Sequence, residues 1–141
     1  MVREPQMVLV VEDNPDDEQL TLRALRQCEV PNVVRVARDG AEAVSMICSA
    51  EGQDVPALIL LDLKLPKVSG IEVLQRIRAN GTSSMTPVVV LTSSDEQRDI
   101  IASYESGANS YIRKPIDFNH FVDAVRELAQ YWLTMNLVPP N

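Results

Sequence analysis

Histidine is nearly absent from this sequence. His120 is the only one in 141 residues, so no multi-histidine metal site can be built from the chain. Cysteine is scarce as well. Cys28 and Cys48 both fall in amphipathic helical patterns, and two buried reduced thiols in a cytosolic protein are expected, not a disulfide or a metal pair. The five glycines, at positions 40, 52, 70, 81 and 107, are scattered, which excludes a glycine-rich phosphate loop. No apolar run reaches the length needed to span a bilayer. Met1-Val2-Arg3-Glu4-Pro5 has no apolar stretch after a basic one, so no secretory signal is expected. Positive charge is short too: 13 Lys and Arg against 20 Asp and Glu leave a net charge of −7. That balance argues against a nucleic-acid surface.

The chain does have enough apolar residues, 45 %, for one substantial core, and its length suits one domain. Short apolar runs alternate with helical patterns. Met7 to Val11 is continuously apolar. A helix is expected from Pro15 to Cys28, with Leu20, Ala24, Leu25 and Cys28 on one face. Asn14 suits its N-cap, Pro15 its first position, and Asp16 and Asp17 the positive end of its dipole. Val33 to Ala37 reads as an edge strand. Gly40 to Ser49 reads as a helix with Ala41, Val44, Ile47 and Cys48 on one face. Ala57 to Leu61 is a second buried strand, followed by a loop and a helix with Ile71, Leu74 and Ile77 inward. Val88 to Leu91 is a third buried strand, followed by a weaker helix over 95–106. Ser110 to Arg113 reads as a short polar edge strand. The last helix turns Phe121, Val122, Val125, Leu128, Ala129 and Trp132 to one side, and a loose tail is expected at Pro139-Pro140-Asn141. The pattern is βα repeated five times. It predicts an α/β fold, a parallel sheet covered by helices on both faces, as continuous apolar strands require.

The apolar strands end in polar residues of particular kinds. The first ends in Glu12-Asp13, the third in Asp62 and the fourth in Thr92, and Lys114 follows the fifth. Taken singly, each has an ordinary structural reading: a helix start, a loop cap, a strand end, a solvated lysine. In a parallel sheet, however, these ends share one edge, where such folds bind their ligands. Three carboxylates, a hydroxyl and an ammonium would meet there. Clustered carboxylates repel without a cation, and oxygen ligands favour Mg²⁺. A carboxylate can act as the nucleophile in phosphoryl transfer, and a lysine and a threonine can bind the phosphoryl oxygens.

With these motifs in hand, the chain resembles the receiver domain of two-component response regulators. The resemblance rests on Val10-Val11-Glu12-Asp13-Asn14, Leu60-Leu61-Asp62-Leu63-Lys64-Leu65-Pro66 with Gly70, Val90-Leu91-Thr92-Ser93-Ser94, and Tyr111-Ile112-Arg113-Lys114-Pro115. It spans roughly residues 6–133, leaving 134–141 as a C-terminal tail. It implies a flavodoxin-like (βα)5 three-layer sandwich with strand order 2-1-3-4-5. Asp62 is then the residue that accepts phosphate from a sensor histidine kinase, in a protein that catalyses only its own phosphorylation and dephosphorylation. Glu12, Asp13, Asp62 and the backbone carbonyl of Lys64 would hold Mg²⁺. Thr92 and Lys114 would bind the phosphoryl oxygens, and Thr92 and Tyr111 would move together as the switch. The bond before Pro115 matches a family position that is typically cis. Lys64 lies where side chains tune water access. A long-lived phosphoryl state is expected, with slower phosphate loss than in Lys64→Asn.

No DNA-binding module follows in the sequence, so the signal is expected to leave through contacts with an unknown downstream protein. Glu12-Asp13-Asn14-Pro15-Asp16-Asp17, Ala108-Asn109-Ser110-Tyr111 and Tyr131-Trp132-Leu133 are most similar to the small regulators paired with bacterial phytochromes. That likeness implies a phytochrome-type kinase as partner, and a homodimer through the face of the fourth helix, fifth strand and fifth helix. Tyr131 and Trp132, beside Leu133, Leu137 and Val138, either join that interface or close the intramolecular core. Two other readings differ by residue. An aspartyl phosphatase of the haloacid dehalogenase class would carry a second acid two residues after Asp62, where this chain has Lys64. A receiver that binds partners without phosphate would not need the full set of Glu12, Asp13, Asp62, Thr92 and Lys114.

Overall fold

Every apolar run becomes a strand, and all five strands are parallel. The structure, a computed structural model, describes residues 5–137. Strands β1 (Gln6–Val11), β2 (Asn32–Ala37), β3 (Leu58–Leu61), β4 (Val88–Thr92) and β5 (Ser110–Arg113) lie in the order β2-β1-β3-β4-β5. They alternate with helices α1 (Pro15–Gln27), α2 (Gly40–Ser49), α3 (Gly70–Ala79), α4 (Gln97–Glu105) and α5 (Phe118–Gln130). A π-helical turn, Tyr131–Met135, extends α5. The flavodoxin-like order expected from the sequence is the one observed. No helix among the described residues is long and apolar enough to cross a membrane.

The central strands are apolar throughout because both of their faces are covered. Val8 and Val10 of β1 point with Leu58 and Leu60 of β3 into a core closed by α1 and α5, with Phe121 at its centre. The alternate residues, Leu9, Val11, Ile59 and Leu61, point to the other face, where α2 and α3 contribute Ala43, Ile47, Leu74 and Ile77. The edge strands β2 and β5 are less buried, as their mixed composition predicts.

Helices start where strands end, so the helix N-termini gather at one edge of the sheet. Asn14, Asp39, Ser69 and Asp117 cap α1, α2, α3 and α5 with their side chains. The loop after β3 is tightly drawn in. Lys67 takes a left-handed backbone (φ 70°), a conformation that costs a non-glycine residue about 1 kcal/mol. The turn it makes brings Val68 against α2. A Cβ on Gly40 would lie 1.9 Å from the Val68 carbonyl oxygen, so only glycine fits there.

Several details differ from the sequence reading. Cys28 is buried, but Cys48 is exposed. The inward stripe of α2 is Gly40, Ala43 and Ile47, not Ala41, Val44, Ile47 and Cys48. This helix has apolar residues almost all round, so periodicity offers two stripes. The close approach of Gly40 to Val68 turns the helix onto one of them. In α3, Val73 takes the buried place and Ile71 is half-buried. The Lys114–Pro115 bond is trans, the form that any X–Pro bond favours by about 0.5–1 kcal/mol. Val138 and Pro139-Pro140-Asn141 lie outside the described residues.

Trp132 is half-buried, packs against the α1–α5 core, and meets Tyr131 edge-on at 5.2 Å. It lines a cavity of about 440 Å³ with Gln6, Pro56, Pro87 and Leu133. Gln6, Pro56 and Pro87 precede or begin strands, so the cavity lies at the edge of the sheet opposite the carboxyl ends.

Candidate functional site

Hydrogen bonds continue the strand ladders one step past the strands, and they set the height of the site residues. Glu12 N–H donates to Ala37 O (2.9 Å), Asp62 N–H to Val11 O (3.1 Å), and Lys114 N–H to Thr92 O (2.7 Å). Val11 pairs with Leu61, so Glu12 and Asp62 stand side by side at the top of the two central strands. Leu61 pairs with Val90, and Thr92 with Arg113, which brings Thr92 and then Lys114 to the same edge. The sequence-predicted set does converge.

At its centre is the Lys114 ammonium. Nζ donates to Glu12 Oε1 (2.6 Å), Asp17 Oδ2 (2.8 Å) and Asp62 Oδ2 (2.8 Å), so all three of its donors are used. The side chains of Lys114 and Asp62 are each only 8 % exposed and that of Glu12 4 %, so this is a desolvated ion cluster and not a surface pair. The other oxygen of Asp62 accepts the Lys64 N–H at 3.1 Å.

Three carboxylates face one ammonium here. Burial pushes the Glu12 carboxyl up to about 7; the Asp62 charge adds to the shift and Lys114 opposes it. Burial also raises Asp62, but the Lys114 hydrogen bond and charge outweigh it and hold Asp62 below its ordinary value. The proton therefore favours Glu12 and the negative charge stays on Asp62. Burial alone would lower Lys114, yet its three acidic partners hold it above the ordinary lysine value.

Two observations fit the site to a cation and an anionic group. Ligand oxygens of Glu12, Asp13 and Asp62 lie within 4.8 Å of one another, with Asp13 exposed at the mouth. All are hard carboxylate donors, suited to Mg²⁺ or Mn²⁺. Thr92 is completely buried, and its Oγ1 has no hydrogen-bond partner among the described residues. A buried hydroxyl without a partner costs free energy that a bound acceptor would recover.

Tyr111 sits beside this edge on β5, and its hydroxyl donates to Ser94 O at 2.8 Å, two residues past Thr92. Ser94 Oγ in turn donates to Asp99 Oδ2 (2.5 Å) and accepts the Glu96 N–H (3.3 Å). The start of α4 has no side-chain cap, and Ser94 instead ties the preceding loop to Asp99 in the first turn of the helix. Lys64 is exposed. The sequence reading missed Asp17, which was assigned only to the helix dipole. A signal was there: Asp17, Thr21, Ala24 and Cys28 recur at helical spacing, so Asp17 falls on the inward stripe of α1.

Residues 8–126 match the family model of the response regulator receiver domain. The chain belongs to that family. Among curated relatives it is 37 % identical over 138 residues to FilR2, a probable methanogenesis regulatory protein of Methanothrix harundinacea, covering 96 % of this chain and 89 % of that one. It is 36 % identical to the response regulator Rcp1 of Synechocystis sp., over 96 % of this chain and 94 % of that one. The Mn²⁺-bound crystal structure of Rcp1 superimposes with a TM-score of 0.87, at 34 % identity, over 96 % of this chain and 100 % of that one. The phosphorylated cyanobacterial phytochrome response regulator RcpA superimposes with a TM-score of 0.89, at 37 % identity, over 97 % of this chain and 100 % of that one. This receiver is thus related to phytochrome response regulators, and the expected family and fold are both borne out.

Proposed function

We propose that this receiver accepts a phosphoryl group on Asp62 from a sensor histidine kinase, with Mg²⁺ held by Glu12, Asp13, Asp62 and the Lys64 carbonyl. The observation that carries the reading is the state of Asp62: buried, yet held ionised by Lys114 at the edge where Glu12, Asp13 and Thr92 converge. An Asp62 carboxylate oxygen forms a P–O bond as the P–N bond of the donor phosphohistidine breaks. The electron pair of that bond returns to the imidazole nitrogen, which takes a proton from solvent. Bound Mg²⁺ supplies neutralisation of charge on the phosphoryl oxygens. Lys114 and the unpaired Thr92 hydroxyl bind those oxygens. Thr92 is joined through the β4–α4 loop to Ser94 and Tyr111, so its movement reaches the start of α4. Apart from this self-modification the domain is a signalling module. The test is incubation with acetyl phosphate and Mg²⁺, and with phosphorylated candidate kinases. The intact protein should gain the mass of one phosphoryl group and Asp62→Asn should gain none. Labelling of Asp62→Asn would refute the assignment.

The relatives Rcp1 and RcpA support a phytochrome-type kinase as donor. The output is proposed to be a protein contact through the face of α4, β5 and α5, first of all with a second copy. Ile101, Tyr104, Ile116 and Phe118, from α4 and the segment entering α5, are 50–90 % exposed there. Tyr131, 47 % exposed just past the end of α5, and Trp132, which meets it edge-on, are included in the proposed interface. Sedimentation at micromolar concentration should give a dimer that Ile116→Glu weakens. A monomeric wild-type protein at that concentration excludes it.

The ionisation of Glu12 sets the pH dependence of metal binding. A cation binds the ionised carboxylate, and in the folded, metal-free site Glu12 keeps its proton up to about pH 7. Affinity for Mn²⁺ should therefore rise about tenfold per pH unit below 7 and level off above it. Titrations from about pH 5.5 to 8.5 check this, with Glu12→Gln expected to flatten the profile.

A further inference from the structure

We infer that Asp17 is a positioning residue for Lys114: it anchors the ammonium from α1, independently of the acids that a cation and the phosphoryl group occupy. The inference rests on Asp62 as the acceptor. Lys114 has three acceptors at 2.6–2.8 Å. Two of them, Glu12 and Asp62, belong to the group of acids that can hold a metal; Asp17 is not in that group. A bound cation draws on the carboxylates of Glu12 and Asp62, and phosphorylation converts Asp62 to an acyl phosphate. Between them these events weaken two of the three hydrogen bonds that hold Nζ. Asp17 Oδ2 is the acceptor that neither event consumes. It is also firmly placed. Asp17 lies in the first turn of α1, its N–H donates to Asn14 Oδ1 (3.1 Å), and its carbonyl accepts the Thr21 hydroxyl (2.8 Å). Lysine has a flexible four-carbon stem, so a fixed third acceptor decides whether the charge stays at the site or swings into solvent.

The experiment follows the rate of labelling by acetyl phosphate at saturating Mg²⁺, together with Mn²⁺ affinity by electron paramagnetic resonance. Asp17→Ala should slow labelling about tenfold or more, since misplacing a catalytic group by an ångström costs up to about a hundredfold. Its Mn²⁺ affinity should stay within about threefold of wild type, because Asp17 is not a ligand. Asp17→Asn, which keeps an oxygen acceptor in place, should recover most of the rate. Asp16→Ala, at the exposed neighbouring position, should change neither readout. Adding Asp17→Ala to Lys114→Ala should cost nothing further, as expected when one residue acts through the other. Wild-type labelling in Asp17→Ala, full additivity with Lys114→Ala, or a loss of Mn²⁺ affinity equal to that of Asp13→Ala would each overturn the inference. Labelling that survives Asp62→Asn instead overturns the acceptor assignment, and this inference with it.

Discussion

Replacing Lys114 with methionine should lower the stability of the metal-free protein by about 3 kcal/mol near pH 8, because it leaves buried carboxylates without their cation. Lys114 is the only cation bonded to Glu12, Asp17 and Asp62 among the described ion pairs, and it is 8 % exposed. Methionine fills similar space, so the loss is electrostatic. The protein has one way to soften it. Glu12 already holds its proton up to about pH 7, and without Lys114 it holds that proton more tightly. The folded pKa lies above the unfolded one in both proteins, so each loses stability as pH rises from about 4.5 to its folded pKa; the variant's is the higher, so the deficit should grow above about pH 7 and shrink towards about pH 6. Saturating Mg²⁺ should restore much of the loss, since an ion that binds only the folded form stabilises it by mass action. Urea melts at the two pH values, with chelator and with Mg²⁺, measure all three effects. Unchanged stability in chelator would mean that the cluster is not the desolvated unit its burial indicates.

The second large effect is steric. A Cβ on Gly70 would sit 2.5 Å from the Asp62 carbonyl oxygen and 2.5 Å from Leu63 Cα. Both are backbone atoms and cannot rotate away, so Gly70→Ala should cost about 3 kcal/mol, the upper range for overpacking a tight contact. The strain falls on the acceptor itself. Asp62 must shift with its carbonyl, and its labelling by acetyl phosphate should drop along with stability. Gly81 provides the contrast, since nothing lies within 4 Å of a Cβ there. Gly81→Ala should stay within about 0.5 kcal/mol of wild type. Equal melting of the two variants would show that the loop absorbs the extra methyl.

Much of the site was legible before folding because it rests on strand ends. A strand buried on both faces must be apolar, so its last apolar residue marks the sheet edge, and the next residue is the one placed there. Glu12, Asp62 and Thr92 could be located in this way, and Lys114 by the same logic one step past a polar strand. Helix faces were harder. α2 has apolar residues almost all round, and the contact of Gly40 with Val68, a residue 28 positions away, selected the buried stripe and left Cys48 outside.

The chain order of strands and helices, the five residues at the sheet edge and the Asn14 cap of α1 were determined by the sequence itself, because hydrophobic period and turn chemistry act between near neighbours. Partnership was decided by the tertiary structure. Only the packing of α1 against α5 could bring Asp17 to Lys114, 97 residues apart, in the segment between β5 and α5. Only the shared burial of Glu12 and Asp62 could divide a proton and a charge between two carboxylates that look alike in sequence. Coulombic and desolvation terms depend on distances that close when the sheet assembles, and those distances give Asp62 the charge.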